Sequence, residues 1–169
     1  MSAVIRSVLS PLIKLWLRSQ VESIQTLEIE VTGRDGQILK GLIPSAKVIA
    51  SDVVYQGLHL TNLSLTASQI HLNTPQVLRR EPLKLLEPIQ VDLELDLAPD
   101  DLKYCLGSVL VRSAVGMNLL DRNQLEDDQY ILFTLTQILT KLGDEFKLKD
   151  LSVNNGYCHC EGIFIVNAT

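Results

Sequence analysis

Apolar and polar residues recur along this chain with one of two periods, and the places where the period changes divide it into elements. Over residues 1–21 the spacing is helical. Val4, Ile5, Val8, Leu9, Leu12, Ile13, Leu15 and Trp16 occupy one half of a wheel turned by about 100° per residue, and Arg6, Ser10, Lys14 and Arg18 occupy the other. Pro11 would break a continuous hydrogen-bond ladder, so a kink or restart is expected there, with Ser10 as N-cap and Pro11 at the first helical position. From Thr26 the period falls to two. Leu27, Ile29 and Val31 share one face and Glu28 and Glu30 the other, as in a half-buried strand. Residues 33–36 read as a turn, and residues 37–43 as the returning strand of a hairpin that Pro44 ends.

Residues 45–73 predict two or three strands in which the apolar parity slips. Leu58 and Leu60 are even, Leu63 and Leu65 odd, Ile70 and Leu72 even again. A shift by one residue turns an apolar face outward, so each slip calls for a bulge or turn, and the sheet is expected to curve. After a connection containing Pro75, Pro82 and Pro88, Ile89, Val91, Leu93, Leu95 and Leu97 alternate without fault against Gln90, Asp92, Glu94 and Asp96. Pro99, Asp100 and Asp101 open a helix striped by Leu102, Leu106, Val109 and Leu110. A further helix carries Ile131, Leu135, Ile138, Leu139 and Leu142 and ends at Gly143. Strands over residues 146–153 and 157–166, joined at Asn154, Asn155 and Gly156, form a terminal hairpin.

The expected architecture is therefore α+β: a curved, mainly antiparallel sheet packed with about three helices. Residues 1–20 form an amphipathic helix, and residues 21–169 a single domain. Residues 60–65 also resemble residues 148–153, and in that register His71 falls on His159. One strand-turn-strand unit used twice and a chance likeness of two Leu-rich hairpins both account for the match.

Composition narrows the function classes. A chain of 169 residues with 46% hydrophobic content holds one substantial core, and that core is aliphatic, since the chain has one Trp, three Phe and four Tyr. A net charge of −5 disfavours nucleic-acid binding, which needs a basic surface. The acids at Asp100 and Asp101 and at Glu126, Asp127 and Asp128 read as solvated helix beginnings or loops. Three cysteines do not make a disulfide framework, which points to a reducing compartment. The first twenty residues resemble an export signal only weakly, because Pro11, Lys14 and Arg18 interrupt the apolar stretch. No run approaches the roughly 20 apolar residues that cross a bilayer.

The chemistry-bearing residues form no recognisable catalytic set. Along a strand, Cys158 and Cys160 share one face and His159 takes the other, which strains any metal site built from the tripeptide, and no second Cys/His pair completes one. A serine in a nucleophile turn is absent, as are the glycine-rich phosphate loops. His59, His71 and His159 read as surface or cross-strand residues, and Asp92, Glu94 and Asp96 as a solvated sheet face. A non-catalytic protein without metal or cofactor is expected.

The informative binding feature is the first helix, with three basic residues and no acid before Glu22. Ile5, Leu9, Leu12 and Trp16 are placed to meet an apolar surface, and Arg6, Lys14 and Arg18 to face anionic headgroups at about 1 kcal/mol each near the surface. The same stripe equally fits a helix packed on the domain's own sheet.

Three segments, residues 54–60 (VYQGLHL), 82–88 (PLKLLEP) and 142–153 (LGDEFKLKDLSV), resemble the LmeA family of bacterial phospholipid-binding domains. The likeness runs over about residues 21–169 and is nearest to small members that lack an export signal. It implies a fold similar to the tubular lipid-binding folds, with an apolar groove for acyl chains and no catalytic residue. The expected partner is phospholipid or a membrane surface, met peripherally from the cytoplasmic side. A protein-interaction or assembly module, using the same helix or a sheet edge, is the alternative.

Overall fold

The computed structural model describes residues 9–55, 57–106, 128–140 and 146–169. In chain order these form α1 (Ser10–Gln20), β1 (Ser23–Thr32), α2 (Asp35–Leu39), β2 (Leu42–Tyr55), β3 (Leu58–His71), α3 (Thr74–Val77), β4 (Ile89–Leu97), α4 (Pro99–Leu106), α5 (Asp128–Thr140), β5 (Phe146–Asn154) and β6 (Tyr157–Val166). The six strands make one open antiparallel sheet in the order β1-β2-β3-β4-β6-β5, with β1 and β5 at its edges. The α+β class, the curved antiparallel sheet and the terminal hairpin are as the alternation predicted. Asn155 and Gly156 turn that hairpin with φ of 52° and 78°, both positive as a type I′ turn requires.

The parity slips have a different origin from the expected bulges. Val48 faces Leu65, Ile43 faces Ile70 and Val53 faces Leu60 in one unbroken register, so no residue is inserted on either strand. Instead, Asp52 and Gln69 take left-handed backbone conformations, φ 49° and 52°. The ladder skips these positions and their partners, Thr61 and Pro44, and each skip rotates both strands together. The apolar residues thereby change parity yet stay on one face: Ile43, then Val48 and Ala50, then Val53 on β2. Pro44 lies within β2 and does not end a strand.

Residues 37–43 are not a hairpin strand. The chain winds into α2, where the Gln37 side chain accepts a hydrogen bond from the Arg34 backbone N–H (3.3 Å) in the manner of a capping box, and Ile38 is driven completely into the core. Burying one isoleucine contributes about 1.5–3 kcal/mol, which offsets the loss of a few strand pairs. α1 begins at Ser10 with Pro11 in its first turn, where the missing N–H costs no bond, but Leu9 and not Ser10 holds the cap position. Residues 60–65 lie in the middle of β3, whereas their proposed repeat, residues 148–153, is an edge strand followed by a turn. The two segments are thus not copies of one strand-turn-strand unit. Val109, Leu110, Leu142 and Gly143 lie outside the described residues.

Side chains of one sheet face form the core in three groups. α1 lays Leu9, Ile13 and Leu17 over β1 and β2, against Ile29, Val31, Ile43 and Ile70 at one end and Leu27, Ala50 and Val53 further along. α4 and α5 bring Leu102, Cys105, Ile131 and Leu135 onto Leu95, Leu97, Leu151 and Cys158. Two acids lock the second pair of helices to the sheet. Asp128 accepts the backbone N–H groups of Asn155 and Gly156, both at 2.8 Å, and Asp101 accepts the Thr61 hydroxyl at 2.5 Å while that hydroxyl accepts the Ala98 N–H at 2.8 Å. Neither is the merely solvated acid its sequence context implied. The opposite sheet face carries Thr26, Glu28, Ser64, Thr66, Asp92 and Glu94 toward water.

Gly162, on the apolar face of β6, admits the Phe146 ring. An added Cβ would lie 2.5 Å from that ring and 2.9 Å from the Lys147 carbonyl oxygen, which is backbone and cannot swing away. Gly162→Ala is expected to destabilise the fold by about 1–3 kcal/mol in urea unfolding, without loss of the native circular dichroism spectrum.

Candidate functional site

Among the described residues, the apolar sheet face extends beyond the three packed groups. Leu65, Leu93, Leu148, Phe146 and Phe164 are half-buried, yet among the described residues they belong to none of the three packed groups. Register makes them contiguous: Leu65 pairs with Leu93, Leu93 and Leu148 flank Gly162, and Phe164 lies between Val91 and Phe146. The result is an aliphatic and aromatic strip across β3, β4, β6 and β5. At Gly162, between Leu93 and Leu148, the Phe146 ring takes the place a side chain would fill. Such a surface offers dispersion and hydrophobic contact, with no hydrogen-bonding group to orient a polar ligand. A separate depression is lined by Thr66, Ala67, Ser68, Gln90 and Asp92.

α1 divides the residues expected to touch lipid. Leu9 is fully buried in the core beside Ile38 and Ile43, so in this arrangement it serves the domain itself. Leu12 and Trp16 lie beside that inward row and are half-exposed, and Leu15 is 67% exposed. Arg18 is exposed and donates to the Ile24 carbonyl oxygen at 3.1 Å, which ties the helix end to β1, while Lys14 is half-buried. Ile5 and Arg6 lie outside the described residues. The packing that its spacing allowed is thus seen for one row of the helix. One row packs inward, and a second apolar row of Leu12, Leu15 and Trp16 remains outside it.

The groups with chemical reactivity are arranged for structure. Cys105, Cys158 and Cys160 are free, buried thiols. Burial pushes all three up, Cys158 to about 12 and Cys160 to about 11, aided by the negative groups Asp96 near the first and Asp150 and Glu161 near the second. Thiols held protonated at neutral pH are neither nucleophiles nor ready metal ligands. As the alternation required, His159 projects from the other face, 2.6 Å from Asp96 and 3.1 Å from Glu161. These hydrogen bonds hold its imidazole up at about 9. His59 stacks against Tyr104 with ring centroids 3.9 Å apart, and His71 lies 3.6 Å from Glu87. Among the described residues no group of three or more His, Cys, Asp or Glu is placed to hold a metal ion, and no helix is long and apolar enough to cross a membrane.

The described residues thus form a one-sided antiparallel sheet with helices packed on its apolar face, an α+β architecture. The model of the LmeA-like phospholipid-binding family matches residues 1–157, and the chain belongs to that family. The matched stretch includes the first twenty residues, which the sequence pattern had set apart. Neither a curated protein nor a solved structure matches the chain.

The strip itself was not read from the sequence, although its signal was present: a glycine at an apolar-face position inside an otherwise regular strand marks a close approach by another group. The imidazole makes a direct prediction. Its folded value lies above the ordinary 6.5, so the stabilisation it brings is fully present below pH 6.5 and is lost as pH rises through about 9. Proton NMR should place the His159 titration near pH 9, Asp96→Asn should move it toward 6.5, and His159→Gln should flatten the dependence of stability on pH between those values.

Proposed function

We propose that this protein binds phospholipid without catalysis, that acyl chains lie along the strip of Leu65, Leu93, Leu148 and Phe164, and that it works peripherally on the cytoplasmic side of a membrane. The observation that carries the reading is the half-buried apolar surface left over after the three core groups are filled. Family membership supports a phospholipid as the ligand. A methylene chain suits this floor because each methylene removed from water contributes about 0.8 kcal/mol and needs no hydrogen-bond partner. The outer row of α1, Leu12, Leu15 and Trp16 with Lys14 and Arg18 nearby, supports contact with the bilayer surface while lipid is exchanged. The buried, protonated thiols suit a reducing compartment.

Native mass spectrometry of the purified full chain tests the ligand: the expected spectrum contains species heavier by a phospholipid mass, and solvent extraction returns that lipid. A lipid-free stable oligomer would instead favour the assembly module and contradict this reading. Trp16 is the sole tryptophan, so its emission reports on α1 without labelling. Vesicles containing phosphatidylglycerol should shift that emission to the blue, and Leu12→Ala with Leu15→Ala should reduce the shift. An unchanged spectrum at all lipid concentrations would remove α1 from the membrane contact.

A further inference from the structure

The two ends of the sheet differ in charge. At the end where α1 finishes and the β2–β3 and β5–β6 hairpins turn, the chain presents Glu22, Asp52, Asp100, Asp101 and Asp128 against Arg18 and Lys103, together with the exposed rings of Tyr55, Tyr104 and Tyr157. The opposite end gathers α2, the start of β2, the end of β3 and the segment from α3 to β4. Leu42 pairs with His71 there, Leu72 bridges to Leu85, and Leu86 N–H donates to the His71 carbonyl oxygen at 2.8 Å. Among the described residues this second end carries exposed Arg34, Lys40, Arg79, Arg80 and Lys84 against Asp35, Glu81 and Glu87, a basic excess in a chain of net charge −5. Among the described residues none of its five cations takes part in a salt bridge. Interleaved with them are three leucines turned to water, Leu39, Leu78 and Leu86, at 37%, 46% and 53% exposure.

The segment is built rigidly. Asn73, only 3% exposed, donates its side-chain amide to the Pro82 carbonyl oxygen and accepts the Lys84 N–H, both at 2.7 Å, while its own N–H donates to the Lys84 carbonyl oxygen at 3.2 Å. Above this clamp, α3 ends in a Schellman arrangement: Glu81 N–H donates to Gln76 and Arg80 N–H to Val77, both at 3.0 Å. The left-handed position of that motif, which favours glycine, is filled by Arg80 at φ 67°. A charged side chain is thus held at a loop tip at a conformational cost.

Resting on the phospholipid-binding reading above, we propose that this basic, leucine-bearing end is the surface by which the protein docks on an anionic bilayer, with Arg79, Arg80 and Lys40 at the headgroups and Leu78, Leu39 and Leu86 entering the interface. Charge complementarity selects the occupant. Unpaired cations attract anionic headgroups, the leucines among them gain from the acyl boundary, and the acidic opposite end is repelled by the same surface.

Co-sedimentation of the full chain with vesicles of phosphatidylglycerol and phosphatidylcholine, against phosphatidylcholine alone, tests the proposal. Binding should need the anionic lipid and weaken with added salt. Arg79→Glu with Arg80→Glu should lower the partition by about tenfold or more, and Lys40→Glu, on a different element, should act in the same direction. Arg80→Gly is the sharper variant: relief of the left-handed strain should raise its urea midpoint while its vesicle binding falls, a pairing that mere unfolding cannot produce. Vesicle binding by these variants equal to that of the wild-type chain, with co-purified lipid intact, would overturn the docking surface and leave lipid binding standing. Absence of co-purified lipid from the wild-type chain would instead overturn the reading on which it rests.

Discussion

A single sheet with one apolar face needs a roof, and the rest of this structure follows from how much roof the helices supply. α1 covers the β1 and β2 side with Leu9, Ile13 and Leu17, and α4 and α5 cover the Cys158 end with Leu102 and Ile131. Among the described residues, Leu65, Leu93, Leu148 and Phe164 are half-buried and belong to neither of these covers. The curvature that shapes this surface comes from Asp52 and Gln69, whose left-handed conformations turn paired strands in step and hold the apolar residues on one side.

Polar groups fix the arrangement that the apolar groups allow. Asp128 and Asp101 each join a helix start to a neighbouring turn or strand, so the α4 and α5 cover is pinned by charge-assisted hydrogen bonds at its edges. Asn73 performs the same service at the other end of the sheet. Reactive side chains are spent on structure: thiols fill the core beneath β6, and His159 bridges Asp96 and Glu161 on the solvated face.

Much of the fold was legible because alternation is a local signal. The run from Ile89 to Leu97 and the Asn155-Gly156 turn could be placed from a few residues each. Residues 37–43 could not, because one deeply buried side chain, Ile38, outweighs the strand pattern around it and only tertiary packing reveals that. The parity slips were legible as curvature, while their mechanism was not, since a left-handed residue and an inserted one leave the same trace in a hydrophobic pattern. The candidate site was half-legible. α1 announced itself by its stripe, yet which of its rows faces inward depends on neighbours far away in sequence, and the strip across β3, β4, β6 and β5 exists only once register sets Leu93 and Leu148 on either side of Gly162.

The most direct measurement is NMR of the labelled chain loaded with a phospholipid that carries a spin label within its acyl chain. The account predicts strong paramagnetic broadening of the amides and methyl groups at Leu65, Leu93, Leu148 and Phe164, with the outward residues Thr66 and Glu94 on the other sheet face much less affected. Broadening confined to the polar face, or none at the strip when lipid is bound, would contradict it.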